Sequence, residues 1–351
     1  MCQGPMHDFL AALPKCEQHM HLEGSLEPGL LFDLALRNNV KIPSAEEDPA
    51  FESATSLLQR YRKFTSLDDF LHYYFIGMSV LITPADFEAL AYAYFQRAHA
   101  DNVVHAEVFF DPQAHTGRGV SYEIVMEGFT QAQARAQADF GISSELIVCI
   151  LRHLPPASGH EMYHSALPHL QSGVIRGLGL SSTEKGNPPS LYQLTYAHAK
   201  SQGFNLTAHA GEEAEVDYMA SALYDLQVQR VDHGIKLPQD PSLMAEFAQR
   251  KILITMCPLS NVELRCVSAV HELPVRTYLD HGVPFSINSD DPAYFGGYVL
   301  DNYCAVQDAF SLSVHEWARI VTASIQGSWC SEDRKKAMLE HLNNVLAKFA
   351  N

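Results

Sequence analysis

Positive charge is scarce in this chain, and none of it is gathered into a run. Against 41 Asp and Glu stand only 24 Lys and Arg, a formal net charge of −17. No basic stripe is present that could track a phosphate backbone or an anionic membrane, so neither nucleic acid nor membrane is an expected partner. No apolar stretch approaches the roughly eighteen residues of a membrane-spanning helix. Met1 to Leu13 carry neither the basic start nor the apolar run of a signal peptide. The seven cysteines include no C-x-x-C pair, which argues against a disulfide framework and for reduced thiols. The expected compartment is the cytoplasm, with nuclear presence left open. Internal repeats, low-complexity linkers and a glycine-rich phosphate turn are also missing, which removes solenoids and dinucleotide folds from consideration.

What remains is 351 residues, 47% hydrophobic and 19% charged, enough to bury a large core as a single domain over 1–351. From about residue 100 onward, short apolar runs alternate with segments of helical period, the rhythm of a parallel sheet. Thr83 can cap a helix and Pro84 can open it, and Phe87, Leu90, Ala91, Tyr94 and Phe95 then repeat on one face. Candidate strands follow at Cys16–His21, Val103–Phe110, Glu145–Leu151, Val174–Leu180, Phe204–Ala208, Arg230–His233, Ile252–Met256 and Val283–Asn288. Eight strands separated by helices predict an α/β fold, a closed (β/α)8 TIM barrel. The roughly eighty residues between the first two strands exceed one crossover. Residues 22–100 are therefore expected to add helices that stand over the catalytic face as a lid.

Four short motifs carry chemistry. In Glu17-Gln18-His19-Met20-His21 the histidines stand two apart, so on extended backbone both project to one face. His209 ends a strand and Glu212 follows across a glycine. His233 ends another, and Ser289-Asp290-Asp291-Pro292 follows the last. Each alone is compatible with an ordinary buried polar residue. Together they fall at the C-terminal ends of predicted strands, the rim where barrel enzymes place their chemistry. Imidazoles plus a carboxylate suit one zinc ion with a position open for water. Glu212, beside the metal without ligating it, can carry a proton. Adjacent Asp290 and Asp291 point in different directions, so one can bind metal while the other faces substrate.

With these motifs in this order, from Leu13-Pro14-Lys15 through Asp291-Pro292, the chain resembles the adenosine and adenine deaminases of the amidohydrolase superfamily. The resemblance implies that His19, His21, His209 and Asp290 ligate zinc. It implies that Glu212 protonates purine N1, that His233 orients the attacking hydroxide, and that Asp291 meets N7. Ser182 stands where adenosine deaminases have a glycine whose N–H meets N3. Glu23 stands where they have an aspartate that contacts ribose; its extra methylene is expected to push a carboxylate into the sugar's space and favour a free base. The stretches Glu107 to Gln113, Gly186 to Pro189 and Asp291 to Tyr298 look like the adenine deaminase branch. The expected reaction is deamination of adenine to hypoxanthine and ammonia, a purine-salvage step on a small-molecule base. Adenosine and N6-substituted adenines remain open as alternatives, as does a catalytically dead purine binder, against which Glu212 argues.

Two motifs mimic other chemistry. His160-Glu161-Met162-Tyr163-His164 is a literal H-E-x-x-H with Glu184 downstream, the pattern of a zinc peptidase. Pro155, Pro156 and Pro168 argue against the uninterrupted helix that chemistry requires. His105-Ala106-Glu107 lacks the P-C-x-x-C that would complete a deaminase zinc site of the other fold, and is read as barrel strand. Phe70, Tyr73, Tyr74 and Phe75 are either lid core or a wall for a flat ring.

Overall fold

The computed structural model describes residues 5–349. All eight expected strands are present: β1 (Lys15–Glu17), β2 (Val103–Phe110), β3 (Ser143–Leu151), β4 (Ile175–Ser181), β5 (Asn205–Ala210), β6 (Arg230–His233), β7 (Leu253–Met256) and β8 (Phe285–Ile287). Each pairs in parallel with the next, in chain order from β1 to β8. Helices fill the connections, as a right-handed parallel barrel demands.

The barrel closes at an unusual place. β1 ends at Glu17 rather than His21, because the Gln18 N–H is taken by the Asn288 side-chain oxygen at 2.8 Å instead of a backbone carbonyl. Backbone pairing then resumes on both sides. The His21 N–H donates to the Asp290 carbonyl at 2.9 Å, the Asp290 N–H to the His19 carbonyl at 3.0 Å, and the Phe109 N–H to the Met20 carbonyl at 2.8 Å. The seam between the first and last strands is thus stitched by the residues that carry His19, His21 and Asp290.

Inside the barrel Phe109, Ile147 and Cys149 form a small core of their own, against which Trp329 packs. Between residues 22 and 100 lie helices Pro28–Arg37, Ala54–Tyr61, Leu67–Met78 and Pro84–Ala100. The last begins with the expected cap, Thr83 paired reciprocally with Asp86. It packs along helix Tyr122–Phe140, closely enough that a Cβ at Gly128 would come within 2.4 Å of the Pro84 carbonyl oxygen. It is therefore the ordinary crossover helix of the barrel, and the added material is confined to the three helices before it.

Among the described residues Cys16, Cys149, Cys257, Cys266 and Cys330 are free thiols. Among the described residues no helix is long and apolar enough to cross a membrane.

Candidate metal centre

Three of the expected site residues sit at strand ends on left-handed backbone: Ser182 at φ +76°, His233 at +62° and Asp290 at +64°. Such conformations cost on the order of 1–3 kcal/mol for a residue other than glycine and persist only where surroundings impose them. Here the strands stop and turn at the barrel's C-terminal rim, which aims the side chains inward.

Five buried groups converge there. His19, His209, His233 and Asp290 offer donor atoms that all lie within 4.8 Å of one another. His21 closes the ring, its Nε2 3.2 Å from His209 Nε2 and 3.5 Å from Asp290 Oδ1. His19 Nε2 is 3.2 Å from Asp290 Oδ1, fully buried and without a hydrogen-bond partner. A buried imidazole nitrogen facing a carboxylate and two further imidazoles is the donor set of a transition-metal site, and zinc fits it. Burial, over the opposing charge of Asp290, holds His21 neutral, its pKa down to about 3. Burial would push the Asp290 carboxyl up, but the surrounding histidines, His19 first, hold it well below the carboxylate range. Both are the ligand-competent forms.

Outer partners orient the rings. His19 Nδ1 lies 2.9 Å from Thr255 Oγ1, and His209 Nδ1 faces the buried Asp232 carboxylate at 3.3 Å. Asp232 in turn accepts from Thr207 and Thr255 hydroxyls at 2.8 and 2.9 Å. His233 differs. Its Nδ1 lies 3.2 Å from the Asn261 amide nitrogen, and its Nε2 faces Glu212 Oε2 (3.5 Å) and Asp290 Oδ2 (3.8 Å).

Glu212 stands at the edge of this cluster on a loop gripped from behind. The Glu184 carboxylate accepts the backbone N–H groups of Glu212, Glu213 and Ala214 at 3.2, 3.0 and 2.7 Å. Arg152 donates to the His209 carbonyl at 2.7 Å. Burial, then the charge of Asp290, raises Glu212 well above the usual carboxyl range. Asp291 is raised likewise by burial and by Asp290 beside it. The adjacent aspartates are thus pushed in opposite directions, Asp290 down and Asp291 up.

The centre opens into a cavity lined by His21, Asp111, Ser182, Glu212, His233 and Asp291 among others. Helix Leu67–Met78 supplies a wall: Phe70, Tyr74 and Phe75 line the cavity, whereas Tyr73 turns away to hydrogen-bond Asp48 at 2.7 Å. Ser182 lines it too, its hydroxyl 2.7 Å from His153 Nδ1. Glu23 does not line it. Its Oε1 accepts the Asp111 N–H at 3.1 Å and faces His115 Nε2 at 2.8 Å. The longer side chain has folded back behind the wall instead of filling the sugar's space.

Asp111, at the end of β2, is the wall residue that sequence reasoning passed over. Its Oδ1 accepts the Ser181 hydroxyl at 3.1 Å and its Oδ2 the Tyr74 hydroxyl at 3.3 Å. Burial and the charge of Glu23 raise its carboxyl to about 7, against which the Ser181 hydrogen bond works. The missed signal was its position, directly after a strand like the other site residues.

The competing motifs separate from this site. Contrary to expectation, helix Pro156–Ser172 runs unbroken through His160, His164 and Pro168. The two imidazoles face each other on its exposed side, Nε2 to Nε2 at 3.0 Å, while Glu184 is buried behind Glu212 and cannot join them. Among the described residues only the rim cluster gathers three or more ligand side chains. His105 and Glu107 lie within β2 at the opposite end, where Glu107 pairs with Arg230.

Residues 14–345 match the family model described as adenosine deaminase. An adenine deaminase of Aspergillus fumigatus is 53% identical over 350 residues, 99% of each chain. One of Schizosaccharomyces pombe is 51% identical over 98% of this chain and 94% of its own. The crystal structure of an adenine deaminase from Arthrobacter aurescens superposes with a TM-score of 0.90 at 39% identity, over 95% of this chain and 99% of that one. A B. ambifaria amidohydrolase with bound zinc superposes with a TM-score of 0.87 at 26% identity, over 100% and 96%. On these matches and this barrel, the chain is an enzyme of the adenosine deaminase family.

Proposed function

We propose that the chain hydrolyses adenine to hypoxanthine and ammonia, a purine-salvage reaction, with one zinc ion held by His19, His21, His209 and Asp290. The observation that carries this reading is the gathering of the His19, His209, His233 and Asp290 donor atoms within 4.8 Å of one another at a cavity whose wall also presents Glu212 and Asp291. Burial and the charge of Asp290 push the Glu212 and Asp291 carboxyls up, toward the proton-bearing form, while the histidines hold Asp290 down. A purine ring offers lone pairs at N1 and N7, and protonated carboxyls are what such lone pairs accept from. Relatives about half identical over nearly the whole chain bear the name adenine deaminase.

The bound cation supplies the Lewis acidity that makes water a nucleophile near neutral pH. Glu212 gives its proton to N1, which draws electron density from C6, and takes up the proton released by the attacking water. His233, its Nε2 turned to Glu212 and Asp290, orients that water. Asp291 donates to N7, and the Ser182 N–H meets N3. Glu212 passes that proton to the departing amine and takes up the proton of the C6 hydroxyl as it becomes the carbonyl, so the tetrahedral C6 expels ammonia and Glu212 returns to its starting form. Glu212→Gln keeps the shape and removes the proton carrier, so kcat for adenine should fall about 10²- to 10⁴-fold with zinc content unchanged. Ammonia release near the wild-type rate from the Gln variant would refute the assignment.

A further inference from the structure

Free adenine and its nucleoside differ at one ring atom: N9 carries a hydrogen in the base and a carbon in the nucleoside. An enzyme that prefers the base therefore gains most from an acceptor at N9. Glu23, folded behind the wall, is not placed to provide it.

We propose that Asp111 accepts the N9–H of the purine and is the residue that selects the free base; the proposal rests on the adenine reading above. With C6 at the centre, Glu212 at N1, Ser182 at N3 and Asp291 at N7, the remaining polar position on the ring perimeter is N9, between Ser182 and Asp291. Asp111 occupies that interval. It lines the same cavity, and its Oδ1 takes the hydroxyl of Ser181, the neighbour of Ser182. On the other side it lies near enough to Asp291 to act on it electrostatically, and Tyr74 feels both carboxyls. Its Oδ2 is 3.9 Å from His21 Nδ1, the face of that ring turned away from the metal cluster.

Both Asp111 oxygens accept hydroxyls while no donor from the protein side chains facing the cavity pairs with them fully: the Tyr74 contact is long at 3.3 Å. Each oxygen keeps a lone pair for a ligand N–H. A nucleoside has no proton to offer there and brings bulk against the wall that Glu23 holds in place through the Asp111 N–H. The nucleoside then forfeits the hydrogen bond that the base makes to Asp111 and meets the wall sterically.

The test compares adenine with 9-methyladenine, which blocks N9 with little added bulk, on zinc-loaded enzyme and on Asp111→Asn. Wild-type kcat/KM should be at least ~100-fold lower for 9-methyladenine. Asp111→Asn should lose about 10- to 100-fold on adenine and less than about 3-fold on 9-methyladenine, with zinc content and melting temperature unchanged. Equal losses on both substrates, or wild-type turnover of 9-methyladenine matching adenine, would overturn the assignment. The second of these needs no variant and so stands even if Asp111→Asn misfolds. Wild-type enzyme inert toward adenine would instead remove the proposed function, and this selection with it.

Discussion

At position 24 a single added methyl group decides whether the site can form. A Cβ on Gly24 would come within 1.9 Å of Asp291 Oδ1, and that oxygen is buried with no hydrogen-bond partner. Gly24→Ala should therefore displace Asp291 and leave the metal ligands in place. Because a misplacement of about 1 Å in a positioning group costs roughly 10²-fold, kcat/KM for adenine should fall by about that factor at unchanged zinc content. An alanine variant with full activity would mean that Asp291 does not touch the reacting base. His19, His21, His209, Glu212, His233, Asp290 and Asp291 were visible in sequence because each belongs to a short motif ending a strand. Asp232, Thr255, Asn261, Arg152 and Glu184 were not, since each braces another residue from a distant part of the chain and leaves no spacing pattern. Glu23 shows the opposite error: its identity was read correctly, but chain length alone does not reveal which way a longer side chain folds, and here two partners draw it backward.

Elements were legible to the extent that hydrophobic rhythm and punctuation define them. All eight strands lay where apolar runs predicted, yet β1 was overextended, because the Asn288 side chain that interrupts its ladder lies some 270 positions away in sequence. Likewise Pro168 argued against a helix that in fact continues through it, tertiary packing overriding a local preference. The helix Leu67–Met78 begins at Ser66, whose hydroxyl accepts the Asp69 N–H at 3.1 Å, a capped start. It is tied to the barrel by Tyr74 donating to Asp111 and by Thr183 donating to Asp68 at 3.3 Å. Tyr74→Phe removes the inner tie while keeping the ring in the cavity wall. A neutral-to-charged hydrogen bond of this kind contributes about 1–2 kcal/mol, so KM for adenine should rise about 5- to 30-fold with kcat nearly unchanged. A large loss in kcat at constant KM would instead make Tyr74 part of the chemistry.

The molecule as a whole divides its polar interior between two ends of one barrel. The rim holds the metal centre; the far end holds Glu107, which pairs with Arg230 and accepts the Trp329 N–H, while the Arg230 guanidinium lies 4.0 Å from the Trp329 ring centroid. Burial alone would raise the Glu107 carboxyl, but the Arg230 charge and His105 bring it from 4.5 to about 2. The folded protein therefore binds this proton less tightly than the unfolded chain. The stabilisation is complete above about pH 4.5 and is lost as pH falls toward 2; its size is on the order of 3 kcal/mol. Glu107→Gln strands a buried guanidinium and should cost roughly 3–5 kcal/mol at pH 7. Adding Arg230→Met removes the stranded charge and should recover much of that loss. Urea unfolding at pH 7, 4.5 and 3 separates these effects: wild type should lose stability steeply between pH 4.5 and 3, and the double variant should show a shallower slope. Parallel slopes for the two proteins would show that acid lability arises elsewhere, with Asp232 and Asp290, the rim carboxyls that the surrounding histidines hold low, as the remaining buried acids whose protonation destabilises the fold.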